Sequence, residues 1–375
     1  VCVLLLAVHP VGAAPSSLVL EHGVDRIDAW PAVTVLADAG RGLSVEQVLA
    51  HRDDFLTPLT PHANLGIRHD AMWLRVPVVV AGGAPGRWAL SVDYASIDTI
   101  ELFVIGPSKE VRQVSLGRRL PFSQRPWPSS VHAAMLELEP GLAYELLLRI
   151  QTTSTMAVPL TLSTPARLHA VEARAQALQG LMAGAALCLL VYSLMQWVGL
   201  RDPMFLYYAL TLAGTTLFFV AYFGMGPQHP WGDNAWLTTR VAPLSVLFGA
   251  LVGGFLFVDL ALRVREIRPW ISRGLRAGAA IAALVGAAFA VDLVDYRVAQ
   301  ASATVLGPIP MLLAIPASWA RGRRGERIGL YMLAGWGVYA IGALTMVGLL
   351  RGLLPVNGWT QHAFQLGSLF EMLLW

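Results

Sequence analysis

"LQGLMAGAALCLLVYSLMQWVGL", residues 178–200, runs for 23 positions without a charged side chain. As a helix rising about 1.5 Å per residue it spans about 35 Å, enough to cross a hydrocarbon core of about 30 Å. Further apolar runs follow at about 204–225, 241–262, 275–294, 299–320, 328–350 and from 361 onward, so the sequence predicts seven membrane helices. Hydrophobic residues make up 55% of the chain and charged residues 14%, with a mean hydropathy of +0.57, well outside the soluble globular range. The last run, "QHAFQLGSLFEMLLW" (361–375), reaches only about 22 Å. It is expected to continue in a longer protein.

Upstream of residue 178 the pattern changes. "WLRVPVVV" (73–80), "RWALSVDY" (87–94), "TIELFVIG" (99–106), "AMLELEP" (134–140), "AYELLLRIQT" (143–152) and "AVPLTLST" (157–164) are short apolar or alternating runs separated by turn material such as "AGGAPG" and "GPSKE". They predict a β-sandwich, preceded by one short helix in "LSVEQVLAHRDDF" with Ser44 as its N-cap. "TPARLHAVEARAQAL" (164–178) is Ala-rich and helical, and it feeds directly into the first membrane run. The expected fold class is therefore a membrane protein of β plus all-α type, an N-terminal jelly-roll-like sandwich followed by a seven-helix bundle. Its expected divisions are a signal peptide at 1–14, a sandwich at 15–165, a helical linker at 166–177 and the membrane domain at 178–375.

The opening "VCVLLLAVHPVGAAPSS" has an apolar core of signal-peptide length, with Val11-Gly12-Ala13 before a cleavage point at Ala14. It lacks Met and a basic leader, so earlier residues are expected and an uncleaved anchor stays open. Cys2 falls in this segment and Cys188 in a membrane run, which leaves the sandwich without a disulfide framework. The connections after spans one, three and five hold ten arginines (Arg201; Arg263, Arg265, Arg268, Arg273, Arg276; Arg321, Arg323, Arg324, Arg327). Arg167, Arg174, Arg240, Arg297 and Arg351 lie on the other side. Ten against five predicts the sandwich outside and the C-terminus inside. The same asymmetry accounts for the net charge of +3, so nucleic acid is excluded as a partner.

No HExxH, CxxC pair, GxSxG or P-loop motif occurs, and the chain's single lysine, Lys109, lies in the sandwich, which excludes a retinal Schiff base in the bundle. His51, His62 and His69 stand near Asp53, Asp54 and Asp70 in no metal-ligand spacing and read as surface loop. No cofactor, metal or catalytic residue is expected. Strand alternation puts Trp73 and Arg75 on one sheet face, where they form either a sugar-stacking site or a core Trp beside an edge Arg. Arg118, Arg125 and Trp127 lie in the Pro-bounded loop "GRRLPFSQRPWP" (117–128), which reads equally as a ligand loop or as a lid on the sandwich or the membrane domain. Within the bundle, Asp259 is expected to pair with Arg263 at i,i+4, and Pro308, Pro310 and Pro316 to kink span five. Gln365 and Glu371 are the polar residues of the last run that must face the bundle, where they either tune signalling or fix packing.

The runs "LGIRHDAMWLRV", "WALSVDYASIDTIELFV", "GRRLPFSQRPWP" and "YELLLRIQTTSTMAVPLTL" resemble the type 2 extracellular domain of the bacterial seven-transmembrane receptors with diverse intracellular signalling modules. "LLVYSLMQWVGLRDPMFLYYAL", "LYMLAGW" and "LPVNGWTQHAFQLGSLFEMLL" resemble the membrane half of the same family, so the likeness covers about residue 25 to the end. It implies a multi-pass protein of the bacterial inner membrane with a periplasmic sandwich that binds a small ligand, carbohydrate or anionic. It also implies a cytoplasmic output in cis, a diguanylate cyclase or histidine kinase, which this chain does not contain. The expected partners are therefore a small molecule, the bilayer and that output domain, with a homodimer left open. The sequence reading is a non-enzymatic signalling receptor; a transporter or channel with an accessory outer domain is the alternative, and it lacks clear internal repeats.

Overall fold

The computed structural model describes residues 17–60 and 62–374. The signal-peptide expectation and Cys2 lie outside them. Strands are numbered in chain order. One sheet runs β1 (Leu18–Leu20), β5 (Ala71–Val80), β10 (Ala143–Gln151), β7 (Thr99–Ile105), β8 (Val111–Leu116), and β3 (Thr34–Asp38) also pairs with β5. The facing sheet runs β2 (Arg26–Asp28), β12 (Leu160–Ser163), β6 (Arg87–Val92), β9 (His132–Glu137), while β4 (Asn64–Ile67) and β11 (Thr155–Ala157) form a small third sheet. All pairs are antiparallel except β1 with β5.

The period-two pattern explains why the sheets pack. Met72, Leu74, Val76 and Val78 of β5 point inward and meet Trp88, Leu90, Leu160 and Leu162 of the opposite sheet in one buried core. Each such side chain stabilises the sandwich by about 1.5–3 kcal/mol. Alternate residues of β5 face the other way, toward a second, smaller core under α1 (Val45–Ala50). A capping box starts α1: Ser44 Oγ accepts from the Gln47 backbone N–H at 3.3 Å, and the Gln47 side chain accepts from the Ser44 N–H at 2.9 Å.

β12 ends at Ser163, and a single helix begins at Pro165 with Thr164 as its N-cap. Its 36 residues, Pro165–Leu200, rise about 54 Å, so the first turns stand clear of a bilayer and lie along the sandwich. There Leu168 packs with Ala89 and Ala133. Among the described residues six helices are long and apolar enough to cross a membrane: Pro165–Leu200, Pro203–Tyr222, Ala235–Ala261, Pro269–Ala290, Tyr296–Arg323 and Arg327–Leu350, here spans one to six. The seventh expected helix is Gly358–Leu374, whose 17 described residues rise about 25 Å.

Span three contains a π-helical stretch, Ser245–Leu251, where Gly249 packs backbone to backbone against Gly214 of span two. Span five breaks between Leu306 and Ile309, at Gly307 and Pro308, which is the kink expected from its prolines. The last helix crosses span six at two glycines; a Cβ on Gly342 would lie 2.6 Å from the Ala363 carbonyl oxygen, and one on Gly367 would lie 3.0 Å from that of Val338.

One expectation is corrected here. Asp259 does not pair with Arg263, which caps the start of the next short helix in the left-handed region at φ 42°. Span three ends before Arg263, so the helical spacing that would bring the two together is lost. Asp259 instead accepts from Arg276 Nε of span four at 2.8 Å.

Candidate functional site

The sandwich rests on one end of the helix bundle, and the polar side chains between them form the candidate site. β4 reaches span six through Asn64, a buried side chain whose Nδ2 donates to the carbonyls of Leu349 and Leu350 at 2.8 and 2.9 Å. These carbonyls belong to the last two residues of the helix, where the usual i+4 donors run out; the Leu349 oxygen also accepts from the Gly352 N–H at 3.0 Å. Arg297, in the first turn of span five, donates to the Arg68 carbonyl at 2.7 Å and to the ring of His69. At the start of the last helix, Gln361 Nε2 lies 3.4 Å from Asp93 Oδ2. His362 stacks on Phe223 with centroids 4.9 Å apart.

The 117–128 loop serves the same junction. Ser123 donates from its backbone N–H and its hydroxyl to Asp233, at 2.8 and 2.6 Å, across to the connection between spans two and three. These two bonds hold the Asp233 carboxyl below the ordinary carboxylate range. Trp127 packs edge-on against His169, 4.9 Å away, and its indole N–H points at Glu172 at 3.4 Å, both on the projecting part of span one. Gly224, just past span two, has φ +69°, and a Cβ there would collide with the Ser130 carbonyl oxygen.

Beneath the loop lies a buried ion pair. Arg118 donates to Asp98 Oδ1 at 2.7 Å, and Thr153 gives Asp98 Oδ2 two more hydrogen bonds, at 2.7 Å from its N–H and 2.8 Å from its hydroxyl. The Arg118 guanidinium also lies 4.7 Å from the ring centroid of Tyr296, the first residue of span five. Burial alone would raise the Asp98 pKa, but the charge and hydrogen bond of Arg118, with those of Thr153, hold it below the usual range. Nearby, burial pulls the Arg125 guanidinium down to about 10, against the raising effect of Asp233, and it stays protonated at neutral pH. Arg125 donates to the Ser129 carbonyl at 3.1 Å. His132 on β9 is buried, and its pKa falls to about 3, chiefly through burial and then through the charge of Arg125.

The seven residues singled out in sequence occupy three separate places. Trp73 and Arg75 do share a face, but Trp73 is fully buried under α1 with its ring 5.6 Å from Phe103, so it presents no platform for a sugar. Arg75 is bound to Glu145, which also accepts from Arg52 at 2.5 Å. Trp73 is thus a core residue, but Arg75 is not at a sheet edge: β5 is paired on both sides there, with Thr34 and with Leu147. Arg118, Arg125 and Trp127 are brought together at the junction. Gln365 and Glu371 face the bundle interior, on different neighbours. Gln365 exchanges two side-chain hydrogen bonds with Gln179 of span one, at 2.8 and 3.0 Å, and Glu371 accepts one from Trp336 of span six.

Asn64, Asp93, Asp98, Gln179, Asp233 and Arg297 are the junction residues that sequence reasoning missed. Gln179 carried a readable signal, an amide near the start of an apolar run whose other glutamine, Gln196, lies near its far end. Asn64, Asp93, Asp98 and Asp233 sit in ordinary loops and strand ends and Arg297 in a first helical turn, where only the docked partner gives them meaning. Two cavities flank the Gln179–Gln365 pair. One, about 80 Å³, lies at the junction between Asp93, Tyr94, Tyr222 and Gln361. The other, about 210 Å³, lies between span one, span two and the last helix.

Comparison with known families agrees with this two-part architecture. A family model described as 7TM diverse intracellular signalling matches residues 175–375, more than half of the chain, and one described as 7TMR-DISM extracellular 2 matches residues 31–164. No curated protein matches the chain.

Proposed function

Because the chain belongs to the 7TM diverse intracellular signalling family, we propose that it is a non-enzymatic sensor-transducer of the bacterial inner membrane. Its sandwich faces the periplasm, binds a small carbohydrate or anionic ligand, and biases the helices. The last helix passes that bias to a cytoplasmic diguanylate cyclase or histidine kinase in cis. The arginine distribution, ten against five, supports this orientation.

The observation that carries the transducing role is the number of separate helix ends held by sandwich side chains. Span one is touched by Trp127, the two–three connection by Ser123, span five by Arg68 and His69, span six by Asn64 and the last helix by Asp93. An accessory domain tethered by one linker would need none of these. A change in the sandwich therefore acts on several helices together, through bonds that have to be kept or exchanged.

Hydrogen exchange on the full chain in lipid nanodiscs tests the reading. A carbohydrate and organic-acid panel is first screened for binding. Any ligand that protects sandwich amides is expected to change exchange in residues 358–374. Ligands that bind the sandwich and leave the last helix unchanged would refute transduction along this path.

A further inference from the structure

We infer that the 210 Å³ cavity between span one, span two and the last helix is a second ligand site, for a neutral medium-chain amphiphile with one hydrogen-bonding head group. Its walls are mainly apolar, formed by Met182, Ala186, Phe219, Leu369 and Met372, with Thr215, Thr216 and Ser368 among them. Along span one and along the last helix it extends for seven residues, Gln179 to Ala186 and Gln365 to Met372, or about 10 Å. An apolar cavity of about 150 Å³ already holds a benzene ring, so this one takes a ring or a folded medium chain.

The polar end is defined by the Gln179–Gln365 pair, which lines the cavity nearest the sandwich. Each amide has two N–H donors and an oxygen with two lone pairs, and the reciprocal bonds use one of each. A second donor and a second lone pair on each Gln remain to meet a hydroxyl or carbonyl. No Asp, Glu, Lys or Arg lines the cavity, and the one ionisable side chain that does, His229, is exposed at its rim, whereas the Gln pair is buried. A charged head would therefore be buried without a counter-ion, which selects a neutral ligand. His229 and Pro230, both exposed, line the rim on the sandwich side and give an entry from the aqueous boundary. The occupant is thus a soluble amphiphile entering there, and the site is independent of the ligand proposed for the sandwich. Because Gln365, Leu369 and Met372 belong to the last helix, occupancy acts on it directly.

The test uses the full chain in nanodiscs, a diazirine-bearing octanol as photoprobe and mass spectrometry of the adducts. Adducts are expected on Met182, Phe219, Leu369 or Met372, and excess octanol should reduce them at least about fivefold; octanoate at alkaline pH should compete at least about tenfold less well. Ala183→Phe, which fills the cavity from span one, should abolish them. Gln365→Leu keeps the volume and removes the head-group partner, so octanol competition should weaken about fivefold to tenfold while octane competition stays the same. This variant decides the matter if Ala183→Phe fails to fold. Adducts spread equally over the exposed Leu284 and Leu344, or unaffected by both variants, would overturn the site. So would a co-purifying phospholipid that octanol does not displace, because the occupant would then be a bilayer acyl chain.

Discussion

The side-chain amide of Asn64 donates to the carbonyl oxygen of Leu349 at 2.8 Å and, with its second N–H, to that of Leu350 at 2.9 Å. One sandwich residue thus caps the end of a membrane helix nearly 300 positions away in sequence, and the bond carries chemical direction: the cap must be a donor. Its Oδ1 meanwhile accepts from the Gly66 N–H at 2.8 Å, so the flip state of the amide is set.

Asn64→Ala should lower the melting temperature of the full chain by removing two bonds to helix-end carbonyls, of which Leu349 keeps its bond from the Gly352 N–H, a loss of about 1–2 kcal/mol. Asn64→Asp is nearly isosteric but offers only acceptors to those two oxygens, and should be less stable than the alanine variant at neutral pH. Equal melting temperatures for the two variants would mean that the cap contributes only its shape.

Gly224→Ala should destabilise the junction more than Gly232→Ala. Both glycines have positive φ, +69° and +53°, so both substitutions incur backbone strain of about 1 kcal/mol. At Gly232 a Cβ meets open space, whereas at Gly224 it meets the Ser130 carbonyl and the Ala95 side chain. Thermal melts of the two variants side by side, with exchange at the Ser130 strand end, give the comparison.

His132 predicts an acid sensitivity that starts near neutrality. Its folded pKa of about 3 lies below the ordinary value near 6.5, so the unfolded chain binds the extra proton first. Stability is therefore full above about pH 6.5 and falls as the pH drops toward 3, with a limiting slope of about 1.4 kcal/mol per pH unit. The melting temperature should fall between pH 7 and pH 5, and His132→Leu should flatten that part of the curve. An unchanged profile in the variant would show that another group controls it.

Asp98 acts in a lower window. Its folded pKa is depressed, so the ion pair with Arg118 stabilises the fold above the ordinary carboxylate value near 3.9 and is lost as pH falls below it. Asp98→Asn leaves Arg118 buried without its counter-charge and should cost about 3–5 kcal/mol at pH 7. The acid limb of the melting curve should flatten in the same variant. Because Arg118 also lies over Tyr296, exchange at the start of span five should rise as well.

Topology has its own test. Reporter fusions after Arg276 and after Arg327 should be active only with a reporter that works in the cytoplasm. A periplasmic signal at either site would reverse the proposed orientation.

Some features were legible because they depend on neighbours along the chain. The uncharged 178–200 run, the Ser44 cap, the shared face of Trp73 and Arg75 and the proline break in span five all follow from spacing within a few residues, and the structure contains each of them. Asp259 shows where that reasoning stops. Its nearest arginine in sequence was a sound partner only if the helix continued through Arg263, and the chain turns before it gets there.

The sequence by itself determined that this chain crosses a membrane many times and carries a β-sandwich ahead of its helices, because long apolar runs and period-two alternation are local consequences of solvent and backbone geometry. What only the tertiary structure decided is the use of the polar residues. Trp73 went under α1, Arg118 into a pair with Asp98, the 117–128 loop onto the bundle, and Asn64 onto the end of span six. A hydrogen bond or ion pair depends on two groups meeting within about 3 Å, and for residues far apart in the chain that meeting is set by how the sandwich docks on the helices.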